Sequence, residues 1–128
     1  MHKEIFRANR HICRNCGSEE FEWYGSTFYD GERIEEGACV KCHSKHSRVF
    51  DFYYIYTELI DSKEKHYDKE TTCPNCGSFL DKDEGERHSK DKKIWWVVKC
   101  PNPKCKKHSA VVYDDVYQFS VAEVEERE

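Results

Sequence analysis

The sequence predicts a small, mainly β, metal-stabilised protein: two tandem three-stranded zinc ribbons packed through aromatic strands. Three observations predict this fold class. All eight cysteines of the 128-residue chain fall into four close pairs. The same order of pairs occurs twice, and the segments beside the pairs are rich in aromatic and β-branched residues, as strands are. Each half of the chain therefore combines two cysteine pairs with strands.

The cysteine pairs have the spacing of zinc knuckles, tight turns that each offer two sulfurs to one ion. A tetrahedral site needs two such turns, because one turn places its two ligands on the same side of the ion. The paired turns are separated by 22 residues in the first half and by 23 in the second, which is enough for two strands and a loop. We therefore expect two Zn²⁺ per chain, one held by Cys13, Cys16, Cys39 and Cys42 and one by Cys73, Cys76, Cys100 and Cys105.

The two halves match as a repeat. Residues 11–18 (HICRNCGS) correspond to 71–78 (TTCPNCGS) at an offset of 60. Gly17 and Gly77 follow the second ligand of these turns, where the backbone commonly needs a positive φ that glycine adopts without strain. The repeat therefore supports the knuckle interpretation in both halves.

A shared polar segment predicts a hairpin between the paired turns. Residues 30–33 (DGER) resemble 84–87 (EGER), and glycine beside acidic residues is typical of hairpin loops. The duplication predicts two units of about 60 residues. In chain order we expect a first ribbon (1–60), a polar linker (61–70), a second ribbon (71–122) and an acidic, frayed tail (123–128).

Five segments carry strand patterns. They are 21–28, 34–40, 47–57, 94–99 and 110–121. The segment 47–57 (SRVFDFYYIYT) has aromatic side chains at alternate positions on both faces, and 110–121 is its counterpart in the second half. Because two thin ribbons have small cores of their own, we expect these two long strands to pack the ribbons together.

Zinc is favoured over the other uses of paired cysteines. Two cysteines separated by two residues form a strained disulfide, and the sequence begins without an apolar secretory segment. Disulfides and redox chemistry remain the alternatives. Thiolates persist in reducing compartments, so we expect a cytoplasmic location, the host cytoplasm if the source is viral. The sequence has no apolar stretch long enough to span a membrane.

The second half resembles the Ogr/Delta-type zinc fingers of phage late-transcription activators. The likeness lies in Cys73-Pro-Asn-Cys76-Gly, the 23-residue interval, Cys100-Pro-Asn-Pro-Lys-Cys105 and the tyrosine-rich strand that follows. It covers residues 71–119. The first half has a C-x2-C second pair instead, as in the general zinc ribbons of transcription and replication proteins. The resemblance implies contact with the transcription machinery or with DNA.

Basic residues surround the second knuckle of each half and are candidates for partner binding. They are Lys41, Lys45 and Arg48 in the first half and Lys104, Lys106 and Lys107 in the second. They could contact phosphates or an acidic protein, or they could offset the negative charge of four sulfurs around a divalent ion. The chain has 21 Lys and Arg against 25 Asp and Glu, a net charge of −4. Dedicated duplex-DNA modules are usually basic, so a protein partner is favoured over nucleic acid.

Trp95 and Trp96 are further candidates for partner binding. Adjacent residues of a strand point to opposite faces, so we expect at least one of the two indoles to reach beyond its own ribbon. Exposed tryptophans anchor protein interfaces and stack on unpaired bases. The alternative is that the aromatic residues pack the ribbons together or form a homodimer.

The residue pattern favours a binding protein over an enzyme. No Ser/His/Asp set, carboxylate pair or HExxH motif is present, and a site closed by four protein ligands leaves zinc no position for water. His11, His43 and His108 lie near the ligands, but four cysteines per site make a histidine ligand unnecessary. Three hypotheses follow: a protein-binding regulator or adaptor of transcription or a related nucleic-acid machine, a direct DNA- or RNA-binding protein, and a rubredoxin-like iron electron carrier. The last is disfavoured because the second turns differ from the first.

Overall fold

The computed structural model describes residues 2–7 and 10–124, which form strands and turns without an α-helix. The eight strands are β1 (His2–Phe6), β2 (Phe21–Tyr29), β3 (Glu32–Cys39), β4 (Lys45–Leu59), β5 (Lys65–His66), β6 (Glu86–Lys90), β7 (Lys93–Lys99) and β8 (His108–Val124), with one 3₁₀ turn at Lys82–Glu84. The strands accompany two clusters of four cysteines that could each hold a metal ion. The predicted class, a small metal-stabilised β protein, is confirmed.

The chain forms two compact units, and two strands contribute to both of them. The first unit contains Met1–Asp51 and Val116–Glu128, and the second contains Phe52–Asp115. The boundaries therefore lie inside β4 and inside β8. The expected repeats were consecutive, 1–60 and 71–122, whereas strands of 15 and 17 residues are long enough to serve two units in turn.

The segments expected to be a linker and a tail are placed differently from the prediction. Residues 61–70 include β5 and belong to the second unit. Thr57 and Glu58 of β4 pair with this strand, so the segment is part of the sheet structure. Of the expected tail, residues 123 and 124 end β8, and 125–128 lie outside the described residues.

The first unit is built on an antiparallel ladder of β2, β3 and β4. β2 and β3 join through a turn at Asp30 and Gly31, where Gly31 has a φ of +80°. The predicted hairpin at 30–33 is therefore present. β1 pairs antiparallel with the end of β8, with His2 opposite Val124.

Trp23 lies across Gly37 in this ladder. The two residues are partners on β2 and β3, and a β-bulge follows between Trp23 and Gly25. A Cβ atom built at Gly37 would lie 2.5 Å from Cε3 of Trp23 and 2.6 Å from the carbonyl oxygen of Glu22. The glycine thus leaves the space that the indole occupies.

The second unit repeats the three-stranded ladder with β6, β7 and β8. β6 and β7 are joined by Asp91 and Lys92, which both have positive φ, +54° and +63°. Two consecutive residues with positive φ form a type I′ turn, whose twist matches that of the two strands it joins. The core contains Leu59, Leu80, Ile94, Val98 and Val111, which are all fully buried.

The predicted hairpin at 84–87 is wrong. Lys82–Glu84 form the 3₁₀ turn, and Gly85 follows with a φ of −99°, outside the left-handed region. A Cβ atom at Gly85 would lie 2.8 Å from the Val97 carbonyl oxygen and from a Val98 methyl group. Gly85 is therefore needed for close packing against β7, whereas Gly31 is needed for a turn.

Candidate metal centres

Three of the four cysteine turns share one hydrogen-bonding pattern. The N–H of the first cysteine donates to the carbonyl five residues later, and the N–H four residues later donates back to the cysteine carbonyl. The residue at this fourth position has a positive φ. The pairs are Cys13 with Ser18 (2.8 Å) and Gly17 (2.9 Å), Cys39 with Ser44 (3.0 Å) and His43 (2.9 Å), and Cys73 with Ser78 (2.9 Å) and Gly77 (2.9 Å).

The left-handed position explains both glycines and one histidine. Gly17 and Gly77 have φ values of +78° and +80°, which confirms the sequence prediction. His43 occupies the same position with a φ of +64°. Its place in the turn is thus a backbone role, and the first cluster consists of four cysteine sulfurs without it.

The fourth cysteine turn is longer by two residues and uses Asn102 to close. Cys100 N–H donates to the Lys107 carbonyl at 2.9 Å. The N–H groups of Cys105 and Lys106 both donate to the Asn102 carbonyl, at 3.0 and 3.1 Å. The Asn102 side-chain oxygen accepts from the N–H of Lys104 at 3.0 Å. The extra residues therefore form a capped inner turn that still brings Cys105 back towards Cys100.

A fifth turn has the knuckle backbone without cysteines. Leu59 N–H donates to the Glu64 carbonyl at 2.8 Å, and Lys63 N–H donates to the Leu59 carbonyl at 2.9 Å. Lys63 has a φ of +61°. Leu59 and Ser62 stand where the two cysteines stand in the other turns. Sequence reasoning missed this turn, although a signal exists: Lys-His follows it at 65–66, as Lys-His follows Cys42 at 45–46.

The turns bring the sulfurs together in the predicted sets of four. In the first unit Cys13 Sγ lies 3.4 Å from Cys42 Sγ, and Cys16 Sγ lies 3.5 Å from Cys39 Sγ. The second cluster consists of Cys73, Cys76, Cys100 and Cys105, and the sulfurs of each cluster lie within 4.8 Å of one another. Four sulfurs at about 2.3 Å from a tetrahedral zinc ion lie about 3.8 Å apart. Both clusters therefore fit one metal ion each.

Each cluster has a buried side and an accessible side. The first cysteine of each turn is buried, as Cys13 and Cys39 are in the first unit. The second cysteine is exposed in three turns and half-buried at Cys105. An ion in either cluster would be anchored to the core on one side while its other ligands stay within reach of solvent.

Serine and asparagine side chains surround the accessible sulfurs. In the first cluster Ser44 Oγ lies 2.8 Å from Cys42 Sγ, and the Asn15 amide donates to Ser44 Oγ at 2.7 Å. In the second, the Asn75 amide donates directly to Cys105 Sγ at 3.2 Å. Such polar partners orient ligands and stabilise their charge. Sequence reasoning missed these roles, although Asn15 and Asn75 occupy matching positions in the repeat.

Hydrogen bonds favour the thiolate form of one accessible cysteine in each cluster, whereas the pKa of the exposed Cys16 is raised to about 12. The Ser44 hydroxyl lowers the pKa of Cys42 to about 6. The Ser78 hydroxyl, which lies 3.2 Å from Cys76 Sγ, lowers the pKa of Cys76 to about 6. Burial raises the pKa of Cys100 to about 12. Each cluster thus has a thiolate at neutral pH, and a bound divalent ion would deprotonate the remaining thiols.

His46 connects the two turns of the first centre. Its side chain is 2 % exposed. Nε2 lies 3.3 Å from the Arg14 N–H, and Nδ1 lies 3.3 Å from the Ser44 carbonyl oxygen. This arrangement requires a neutral ring with its proton on Nδ1, and burial lowers the pKa of His46 accordingly.

His11 belongs to an aromatic cluster beside the first centre. Its ring meets Phe21 and Trp23 edge-on, with centroids 4.4 and 5.0 Å away. Burial lowers the pKa of His11 to about 4. His11 therefore packs as a neutral ring next to Cys13.

The basic residues predicted to bind a partner fall into two groups. Five lysines are exposed: Lys41, Lys45, Lys104, Lys106 and Lys107. Arg48, in contrast, packs within the first unit. Its guanidinium lies 3.9 Å from the Trp23 ring centroid and pairs with Glu35. The lysines are accessible to solvent, whereas Arg48 covers Trp23.

The two candidate tryptophans are both half-buried in the second unit. Trp95 stacks on His88 with centroids 5.8 Å apart. Trp96 packs edge-on against Phe52 and Tyr113, at 5.9 and 5.6 Å. Both indoles thus have contacts inside their own unit, where one was expected to reach beyond it.

Exposed apolar residues lie beside the metal ligands, and sequence reasoning missed them. Ile12 precedes Cys13 and is 42 % exposed, and Val40 follows Cys39 and is 48 % exposed. In the second unit Phe79 follows the first knuckle and is 66 % exposed. Each unit therefore has exposed apolar side chains and exposed lysines beside its own cysteine turns.

Comparison with known proteins gives no match: no protein-family profile, no curated protein and no solved structure is significantly similar to the chain. Within residues 2–7 and 10–124, no helix is long and apolar enough to cross a membrane. Function has to be inferred from the two centres and the surfaces around them.

Proposed function

We propose that this chain is a zinc-dependent, non-enzymatic binding module, a protein-binding regulator or adaptor of transcription or a related nucleic-acid machine. It acts in the cytoplasm and carries two Zn²⁺. The observation that carries the proposal is the pair of four-sulfur clusters, each assembled from two hairpin turns.

Zinc suits the donor set better than other metals. Four thiolates from knuckle turns are typical of structural zinc sites. Iron also binds four thiolates, as in rubredoxin-like carriers, but those use two matching turns, and in the second centre the Cys100–Cys105 turn is longer than its partner. Elemental analysis tests the choice. We expect a colourless protein with two zinc per chain, and a coloured iron protein would contradict it.

A metal ion held by these four sulfurs has no catalytic role. Four protein sulfurs complete a tetrahedral ion, so no coordination position is left for water or a substrate. The ions then act by holding the turns, and the turns present the side chains between and beside the ligands.

Three features support a protein as the partner. Ile12 and Val40 are exposed on the knuckles of the first unit, and the burial of apolar surface is the main favourable term in most protein association. The net charge of −4 disfavours a dedicated duplex-DNA module. The resemblance of the second half to late-transcription activators points to RNA polymerase as the first partner to test.

The experiment is a binding titration of the zinc-loaded chain with purified RNA polymerase of the source organism. Val40→Glu is expected to weaken binding at least ten-fold, because it places a charge in the contact. Ile5→Glu is the matched control, since Ile5 is an exposed isoleucine on β1, 69 % exposed, and is not part of a cysteine turn. Absence of polymerase binding, or equal loss in both variants, would reject this partner and this surface.

A second candidate, direct binding of DNA or RNA, is favoured by one observation. Lys104, Lys106 and Lys107 are exposed on a single turn beside the second centre. If they contact phosphates, binding should fall steeply with salt, and Lys106→Gln with Lys107→Gln should reduce the salt slope. A chain that shows no salt-dependent binding to single-stranded or duplex oligonucleotides is not a nucleic-acid binder.

A further inference from the structure

The two units carry the same strand ladder in the same register. In the first unit Ile34 of β3 lies opposite Val49 of β4, and in the second Trp95 of β7 lies opposite Val112 of β8. The pairs before and after these also correspond, up to the matching ligands Cys39 and Cys100. Each position in one ladder therefore has a counterpart in the other.

One face of β7 is apolar at its centre and basic at its ends. Ile94 and Val98 point into the core, where both are buried, so the residues between them share the opposite face. These residues are Lys93, Trp95, Val97 and Lys99, and their face is called the Trp95 face below. Trp95 and Val97 are half-buried, whereas both lysines are exposed.

The corresponding face of the first unit has acidic residues instead. Glu32 takes the place of Lys93 and Ile34 that of Trp95, while Glu36 and Ala38 follow on the same face. The same ladder therefore forms without the lysines and without the indole. These side chains of the second unit are not required by the strand pairing, so they are available for a binding role.

Two flat rings lie together on the Trp95 face. His88 of β6 is opposite Trp95, and the rings stack with centroids 5.8 Å apart and planes 16° apart. The His88 side chain is 40 % exposed, and its Nε2 lies 3.7 Å from Oε1 of the neighbouring Glu86. A stacked pair that stays accessible on its histidine side can be extended by a further flat ring.

The charges at the edges of this face favour an anionic occupant. Lys93 pairs with Asp114 at 2.7 Å. Lys90 and Lys99 are exposed, and within residues 2–7 and 10–124 neither forms an ion pair. β7 also runs from Lys99 directly into the Cys100–Cys105 turn with its exposed lysines. The rings are thus flanked by positive charges that have no internal partner.

We propose that the Trp95 face binds single-stranded nucleic acid, with a base stacked on the His88–Trp95 pair and phosphates contacting Lys90 and Lys99. Stacking platforms beside a basic track are the usual mode of single-strand recognition, because every base has a π-face. A duplex keeps its bases paired and stacked on one another, and an acidic peptide satisfies the lysines alone. The proposal rests on the nucleic-acid candidate and is independent of the protein partner of the first unit.

Fluorescence anisotropy of the zinc-loaded chain with labelled oligo(dT), oligo(U) and duplex DNA tests the proposal. Trp95→Leu is expected to weaken single-strand binding about ten-fold, as the loss of one stacked base would. Tyr67→Leu is the matched control, because Tyr67 is a 64 % exposed aromatic residue of the same unit that lies outside the ladder. Zinc content and far-UV circular dichroism verify that both variants are folded.

The salt dependence of oligo(dT) binding tests the two lysines. Lys90→Gln with Lys99→Gln should reduce the slope of log K against log salt by about 0.7 per lysine, the value for one phosphate contact on a single strand. Lys69→Gln, at an exposed lysine outside the ladder, should leave the slope unchanged.

NMR of the wild-type chain gives a readout that needs no variant. Addition of oligo(dT) should shift the indole N–H signal of Trp95 and leave that of Trp23, in the first unit, in place. An unshifted Trp95 signal, equally tight duplex binding, or equal losses in Trp95→Leu and Tyr67→Leu would overturn the proposal. Binding that Lys106→Gln with Lys107→Gln weakens but Trp95→Leu does not would retain the nucleic-acid candidate and reject this face.

Discussion

The main-chain N–H of Arg14 lies 3.3 Å from Nε2 of His46 and donates to it, which ties the first cysteine turn to the second in the first unit. The other ring nitrogen reaches the Ser44 carbonyl oxygen, beside Cys42. Because this bridge uses neither a sulfur nor an ion, it helps fix the distance between the turns before metal binds. The imidazole is thus part of the scaffold of the centre, although it is not a ligand.

Replacing His46 should weaken the first centre selectively. His46→Leu keeps an apolar side chain in the buried site but leaves the Arg14 N–H unpaired, which costs about 1–3 kcal/mol. We expect the zinc affinity of the first centre to fall roughly ten-fold or more and that of the second to stay unchanged. Competition with a chromophoric chelator measures both. His66→Leu is the control, since this histidine lies on β5 in the second unit, and a loss of affinity at both centres would contradict the prediction.

Gly37→Ala should destabilise the first unit far more than Gly25→Ala. A methyl group at Gly37 meets Trp23 at 2.5 Å, whereas one at Gly25 meets nothing within 4 Å. Overpacking of this kind typically costs about 1–3 kcal/mol. Urea denaturation of the zinc-loaded protein, monitored by NMR signals that are sensitive to Trp23, measures the difference in the free energy of unfolding between the two variants. Equal midpoints for the two variants would show that the indole moves aside freely.

Loss of one cysteine should abolish one centre and spare the other. Cys39→Ser removes a buried ligand of the first cluster, and zinc binding supplies on the order of 10 kcal/mol to sites of this type. We expect one zinc per chain and selective loss of the amide signals of β2, β3 and residues 45–51 in an NMR spectrum. The matching variant in the second unit is Cys100→Ser, which should spare the first centre. Loss of both ions in either variant would mean that the two centres fold as one.

Ser78→Ala should shift zinc release from the second centre to higher pH. The Ser78 hydroxyl lowers the pKa of Cys76 from 9.0 to about 6, so its stabilising effect is complete above pH 9 and is lost as the pH falls towards 6. Without the hydroxyl the thiolate takes up a proton at higher pH, and protons compete earlier with zinc. An acid titration of the cobalt-substituted protein, read by its thiolate absorption, measures the midpoint. Ser62→Ala, in the cysteine-free turn, should leave the midpoint unchanged.

Local features of the fold could be predicted from the sequence, and pairings over long distances could not. The cysteine spacing indicates the four turns, and Gly17 and Gly77 mark two of their left-handed positions. β1 pairs with β8 across more than a hundred residues, and nothing within HKEIF indicates that partner. β6 has so many ionisable side chains that its composition resembles a loop.

The same limit applies to the candidate sites. Sulfur clusters are visible in the sequence because cysteine is rare and its spacing is specific. The role of Arg48 depends on Trp23, which lies on another strand, so the sequence shows only a basic residue near a knuckle. The hairpin at Asp91 and Lys92 lacks the glycine that commonly marks such turns, so the sequence pattern favours EGER at 84–87 instead.

The cysteine-free turn at 59–64 shows that the hairpin backbone does not need sulfur. It has the same hydrogen bonds and the same left-handed residue as the turns that carry ligands. Two substitutions, at Leu59 and Ser62, would supply the side chains of a ligand pair without a new backbone, and the reverse changes would remove one. In a lineage built on such hairpins, ligand pairs can be gained or lost one codon at a time, while the surrounding strands keep their register.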